Sequence, residues 1–429
     1  CQFCARRNIP RALGGSAVKK RLLCLTLVLL TALGALTGCA GRLAPGESSR
    51  KIGISMPNDS DAKWAADSEI MHDILTQAGY EVNIQFAGDN AASQLQQIQD
   101  MIGAGCTTII VAAADPASFS GTLDLGDTQH QLISGGTSGG SGQEEPEGVP
   151  VEDGIQLIAY DTFLPDSDIV DYYIGFDGYE AGYLQAKCIE AQLSLSGTAQ
   201  PRTIELFFGD LSDPLTAFQY MGAMEVLQVY IDSGALTVRS GQAGLEECAM
   251  ESTDAARARM DQLLASTYAD GGLDAVLCAD DALAQVVIAS LYENFSGGVF
   301  PVVTGQGCQE ANVNALAAGF QTMSLLRDST GMAQEAARVA MALASGETLE
   351  TDESLDNGRV NVPASLFYPE AVYRDNLQEM LVNRGYFTDN GDGTYSASSG
   401  YTSGYAGLLD PSDSSAGGDG SAESEDGSS

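Results

Sequence analysis

The sequence predicts an α/β protein built from two doubly wound, Rossmann-like lobes. Three observations predict it. Short apolar runs alternate with stretches of helical periodicity from Lys51 onward, the rhythm of a parallel sheet with crossover helices. A Gly/Ser/Glu/Pro segment interrupts that rhythm and a second, similar set follows. The strands also tend to end in a carboxylate or an amide, on the edge where open α/β sheets bind ligands.

The first element is the apolar run Ile52–Met56, ending at Pro57. A polar loop follows, then Lys63 and the chain's single tryptophan, Trp64. From there to Gly79, Ala65, Ile70, Met71, Ile74 and Leu75 recur at roughly helical spacing, which reads as strand, functional loop and helix. Trp64 beside Lys and Asp residues suits sugar recognition, with a flat face for C–H surface and charged groups for hydroxyls. The alternative is that Trp64 begins an amphipathic helix and packs into the core.

Strand Tyr80–Phe86, a helix over Ala91–Gly103 and strand Thr107–Ala114 complete a βαβαβ unit. No GxGxxG follows the first strand, so a dinucleotide fingerprint is absent. Residues 134–154 cannot bury a core and read as a flexible surface insertion. Strands Ile155–Tyr160 and Tyr172–Phe176 resume the pattern. The second set runs from a helix over Ala181–Leu193 and strand Thr203–Phe208 to strand Thr322–Leu326 and a long helix, Ser329–Ser345. Two such sets with a long coda predict two lobes joined by several crossings.

With 429 residues the chain is long enough for both lobes. Its net charge of −38 offers no basic surface to displace counterions from phosphates, which excludes nucleic acid as a partner. The two histidines, His72 and His130, lie far apart without cysteine neighbours. No metal site and no Ser-His-Asp hydrolase is therefore expected. Lys19, Lys20 and Arg21 precede an apolar run that ends in Leu36-Thr37-Gly38-Cys39. This resembles the lipobox of bacterial lipoprotein signal peptides, so residues 1–39 are expected to be a signal peptide, with lipidation at Cys39 and export. Residues 40–50 form a polar tether, and residues 389–429 an acidic, disordered tail. Cys106, Cys188, Cys248, Cys278 and Cys308 include no CxxC pair and read as reduced, buried small hydrophobes.

The strand ends share a chemistry: Asp115 after IIVAAA, Asp161 after LIAY, Asp281 after AVLCAD, Gln306 after PVVTGQ, and Asp210 and Asp213 in the loop after IELFFG. On one sheet edge these groups would converge on a cleft, where carboxylates bind vicinal hydroxyls bidentately. With Lys63 as donor and Trp64 as platform they compose a carbohydrate site. For any single Asp the alternative is a helix N-cap, which Asp favours where strands hand over to helices.

Ordered segments from Lys51 to Phe387 carry a family resemblance: KIGISMP…KW, QLQQIQDMIGAG, LIAYD, GFDGYEAGYLQA, IELFFGD, VVTGQ and NGRVNVPASLFYPEAVYRDN. The chain resembles the periplasmic sugar-binding proteins of bacterial ABC transporters. The resemblance implies the type I binding-protein fold, with a three-strand hinge near Gly175–Phe176, Gln306 and Arg327 and lobes that close on a sugar. It implies one lobe of 51–175 plus 307–327 and another of 176–306 plus 328–388. The ligand positions it carries over are Lys63, where relatives have Arg, Trp64, Asp115, Asp161, Asp281 and Gln306. A monomer without cofactor or catalysis is implied, binding an aldose such as xylose, galactose, glucose or arabinose for an ABC permease and its ATPase. A sensory receptor presenting a sugar or an autoinducer to a chemoreceptor or histidine kinase is the alternative. A glycosidase would need a raised-pKa acid opposite a second carboxylate, and no such pair stands out. Three departures from the relatives' patterns bear on ligand identity. Thr162 replaces the Arg of AYDR, Pro214 and Leu215 replace an Asn pair, and Gly307-Cys308 replaces the end of GQDA.

Overall fold

The computed structural model describes residues 51–116, 119, 154–197, 200–349, 351, 353–398 and 401. The signal segment with Cys39, the tether, the insertion other than Gly154, and residues 402–429 lie outside the described residues. Strand β1 (Lys51–Met56) leads to helix α1 (Ala62–Gln77), β2 (Glu81–Phe86) to α2 (Ala91–Gly103), and then to β3 (Cys106–Val111). After the insertion come β4 (Gln156–Tyr160) and β5 (Tyr172–Phe176). These five strands pair in parallel in the order β2-β1-β3-β4-β5.

Period-two alternation divides their side chains between two faces. Ile52, Ile54, Met56, Ile110, Ile158, Tyr160 and Ile174 share one apolar cluster with Met71 and Leu75 of α1. Ile109, Val111, Leu157, Ala159 and Tyr173 share the other with Ile98 and Met101 of α2. A sheet covered on both faces has strands apolar almost throughout, which is why they were legible as continuous runs.

The second lobe continues with α3 (Gly178–Leu193), β6 (Arg202–Phe207), α4 (Pro214–Asp232), β7 (Leu236–Thr237), α5 (Leu245–Cys248), α6 (Thr253–Ala265), β8 (Ala275–Cys278), α7 (Asp281–Asn294), β9 (Val302–Val303), α8 (Glu310–Ala318) and β10 (Met323–Leu326). Its parallel strands run β7-β6-β8-β9. The loop after β9 carries the ladder on, with Gln306 bridged in parallel to Leu325 of β10. Carboxylates cap the entering helices: Asp177 accepts from Glu180 N, Asp213 from Leu215 N and Asp280 from Leu283 N.

The lobe membership implied by the resemblance differs from the observed pairing. Helix α9 (Ser329–Ala344) packs on the first lobe, where Met332, Ala333, Ala336 and Ala340 join the cluster of β1 and α1. Strand β12 (Asn361–Phe367) lies parallel to β5, with β11 (Ser354–Asp356) outside it, giving the first sheet seven strands. Strand β10 stays with the second lobe and pairs antiparallel with β13 (Glu370–Tyr373). Residues 307–326 therefore belong to the second lobe and 329–367 to the first. Among the described residues the chain passes between the sheets three times, at Phe176–Asp177, at Arg327–Asp328 and after Phe367. Gln306, expected at the hinge, sits within the second lobe instead, because its partner Leu325 is there.

The tail also starts later than expected. Strands β14 (Phe387–Asp389) and β15 (Tyr395–Ala397) form an antiparallel hairpin. Asn314 of α8 holds it, accepting from Tyr395 N at 2.8 Å and donating to Tyr395 O at 2.9 Å. Tyr401 donates to the carbonyls of Gly307 and Cys308. The five cysteines are buried and unpaired, as their apolar settings predict.

Helices α3 and α4 approach so closely that only glycine fits at two contacts. A Cβ on Gly182 would lie 1.8 Å from Gln219 O, and one on Gly222 would lie 1.9 Å from Tyr179 O. Backbone is in the way at both, so the helices would have to separate. Gly222→Ala is expected to destabilise the protein by about 1–3 kcal/mol, as overpacking of a tight core does. A thermal melt checks it, and an unchanged melting temperature would contradict the contact.

Candidate functional site

The site is built on a buried row of alternating charges. Asp161 follows β4 with φ at 58°, the left-handed region that aspartate tolerates better than most residues. Its backbone N–H donates to Ile174 O at 2.7 Å, fixing that turn against β5. The carboxylate receives Lys63 Nζ at 3.1 Å on one side and Arg327 Nη2 at 2.6 Å on the other. One turn along α1, Asp67 also takes Lys63 Nζ at 3.1 Å, together with the hydroxyls of Tyr160 at 2.8 Å and Ser329 at 2.7 Å. The Lys63 ammonium lies 3.7 Å from the Trp64 ring centroid.

Burial by itself raises both carboxyl pKa values. At Asp161, Lys63 and Arg327 outweigh burial and hold the group below the usual carboxylate range. At Asp67 burial prevails and the value is raised despite Lys63 and the two hydroxyls.

A cavity of about 250 Å³ opens beside Asp161. The first lobe lines it with Pro57, Asn58, Trp64, Asp89, Ala113, Ala114, Pro116, Thr162 and Phe163. Asp213 and Leu215 line it from the second lobe and Arg327 from a crossing, so the cavity lies between the lobes. Asp213 is solvent-accessible on the cavity side, yet desolvation in the cleft, with Asp161 and Asp210 nearby, pushes its carboxyl above the usual range.

Of the residues singled out in the sequence, the structure brings Trp64, Asp161 and Asp213 to this cavity. Trp64 is only 3% exposed and belongs to the first-lobe core, while it also lines the cavity. One face carries the Lys63 ammonium, and its indole Nε1 has no hydrogen-bond partner among the described residues. Lys63 lies behind the wall rather than on it. Its ammonium is taken up by Asp67, Asp161 and the indole. Asp115 is half-buried between the lining residues Ala114 and Pro116.

Asp281 and Gln306 are placed elsewhere. Asp281 is fully buried, and its carboxylate receives Ser324 Oγ, Gln321 Nε2 and Gln309 N at 2.9–3.0 Å. Gln306 accepts the Asp281 N–H at 2.9 Å through its carbonyl. Neither lines the cavity; together they tie the loop after β9 to α7 and β10.

Sequence reasoning passed over Asn58, Asp89 and Phe163 as lining residues, and noted Leu215 only as a departure from the relatives' pattern. Asn58 donates to Asp89 at 2.7 Å across the loops that follow β1 and β2, a pairing that no local spacing announces. Arg327 was read only as a hinge position. It supplies to the cleft a guanidinium that Thr162 cannot, while the Thr162 hydroxyl accepts the Ala113 N–H at 2.6 Å and holds the opposite wall.

Comparison with known proteins agrees with this architecture. A family model for a periplasmic binding protein domain matches residues 151–348. The multiple sugar-binding periplasmic receptor ChvE of Rhizobium radiobacter is 34% identical over 371 residues, covering 84% of this chain and 98% of that one. The chain belongs to the periplasmic sugar-binding protein family. The D-xylose-binding periplasmic protein of Escherichia coli is 28% identical over 344 residues, covering 79% and 92% of the two chains. Among solved structures, an ABC transporter solute-binding protein from Clostridium phytofermentans with bound β-D-glucose matches with a TM-score of 0.66 at 34% identity, covering 80% and 99%. As a member of this family the chain is a binding protein and not an enzyme, and its compartment is extracytoplasmic.

Asp281 gives the periplasmic protein a pH signature of its own. Burial pushes its carboxyl up to about 6, which the hydrogen bonds it accepts only partly offset. A raised carboxyl pKa means that the folded state binds the proton more tightly than the unfolded chain. Stability from this group therefore rises as pH falls through about 6 and levels off near the unfolded value of about 4. Between about pH 7 and about pH 5, wild type should gain about 1.3 kcal/mol relative to Asp281→Asn in urea unfolding. Parallel pH profiles for the two proteins would refute the assignment.

Proposed function

We propose that the chain captures a monosaccharide, an aldose such as xylose, galactose, glucose or arabinose, and hands it to an ABC importer while anchored through lipidated Cys39. The observation that carries the proposal is the convergence of Trp64, Asp161, Asp213 and Arg327 on one interlobe cavity. At about 250 Å³ the cavity falls below the range of drug-sized sites, which fits one sugar ring better than a chain of them. The carboxylates of Asp161 and Asp213 would accept ligand hydroxyls and the Arg327 guanidinium would donate, while Trp64 offers an unpartnered N–H. Lys63 and Arg327 hold Asp161 ionised and oriented in advance, so little reordering accompanies binding. Asp115 stands close enough to the wall to reach a ligand on closure, and closing of the lobes over the sugar would generate the form that a permease recognises. A lipidated Cys39 would hold the receptor near that permease and raise its effective concentration.

Calorimetric titration of the full chain against those four aldoses tests the site, with one-to-one binding of at least one expected. Trp64→Phe keeps the packed ring and removes the N–H, and should weaken that binding roughly tenfold with little change in melting temperature. Unchanged affinity would remove the indole from the site. For the anchor, Cys39→Ser should abolish incorporation of labelled palmitate in a bacterial host, and persistent labelling would rule out lipidation at Cys39.

A further inference from the structure

The polar and apolar groups around the cavity are segregated. Asp161, Asp213, Arg327 and Trp64 supply polar contacts, whereas Ala113, Phe163 and Leu215 pack together in one apolar cluster that borders the same space. Phe163 is held edge-on against Tyr173 and Phe218, at 5.2 and 6.1 Å between centroids, so its ring is fixed in that wall. Leu215 meets it from the opposite lobe.

Three backbone donors beside this wall are already used. Ala113 N donates to Thr162 Oγ1 at 2.6 Å, Ala114 N to Gln94 Oε1 at 2.8 Å, and Leu215 N to Asp213 Oδ1 at 2.9 Å. The Thr162 hydroxyl, which accepts the Ala113 N–H, lies 3.4 Å from Tyr160 O. A ligand hydroxyl pressed against the Phe163 ring and the Leu215 side chain would exchange water for groups that cannot hydrogen-bond, whereas a methyl or methylene would gain apolar contact.

We infer that the preferred ligand is a deoxy sugar. Its apolar edge lies against Phe163 and Leu215, and its remaining hydroxyls reach Asp161, Asp213 and Arg327. The inference rests on the sugar-receptor reading above and sharpens it, with Leu215 as the specificity-determining residue.

The test is a set of matched titrations of the full chain: L-fucose against L-galactose, D-fucose against D-galactose, L-rhamnose against L-mannose, and deoxyribose against ribose. At least one deoxy sugar should bind about tenfold or more tightly than its hydroxylated parent, the range that one methyl-sized difference confers in an apolar pocket. Leu215→Asn, which places an amide in the wall, should move that ratio toward the parent by about tenfold. Leu215→Thr takes its place if the Asn variant does not melt like wild type. Parents that bind as tightly as their deoxy partners would overturn the inference and leave the receptor standing. A ratio that neither variant moves, with both affinities falling alike, would overturn the role of Leu215 and with it the inference. Binding of no sugar in either this set or the aldose set would remove the receptor reading as well.

Discussion

The contact on which the rest of the site depends is the clasp of Asp161 between Lys63 and Arg327. All three charges are taken largely out of water, and charges so placed cost several kcal/mol each unless they are paired. The row Asp67, Lys63, Asp161, Arg327 alternates in sign, so no member is left uncompensated. Each partner comes from a different part of the chain: α1, the turn after β4 and the crossing before α9. Local structure at all three must therefore be in place before the carboxylate is.

That clasp also joins the site to the hinge. The Arg327 guanidinium lies 4.6 Å from the centre of the Phe176 ring, which meets the Phe367 ring edge-on at 6.3 Å. Asp177 N donates to Phe367 O at 2.8 Å. All three crossings between the lobes thus touch one another, and one of them ends on the carboxylate that faces the cavity. Packed rings and one ion pair therefore connect the crossings to Asp161.

Much of the framework was legible because it is local. Buried parallel strands read as apolar runs, and the aspartates at strand ends were recognisable as caps or ligands, although not which was which. Asp213 caps α4 and also lines the cavity. Asp280 caps α7 and Asp281 beside it is locked inside the lobe, a distinction of one residue that depends on Ser324 and Gln321 arriving from elsewhere. Asp161 escapes capping because no helix follows it. What stayed hidden depends on tertiary pairing. Strands β11, β13, β14 and β15 have three or four residues each, so their period is too brief to read. Whether β10 or β12 joins the first sheet is decided by partners more than a hundred residues away in the case of β12 and β5. Asp161 as a partner of Lys63 was out of reach for the same reason, whereas Asp67, one turn along α1, was not.

The interleaved lobes have a consequence for how the molecule is made. The first sheet gains β12, and its helical cover gains α9, only after the whole second α/β set has been synthesised. The second lobe in turn waits for β13 and the hairpin that grips α8. A chain emerging from its N-terminus therefore carries two unfinished cores until its last stretch appears. Neither core can take the packing seen here until the chain is nearly whole.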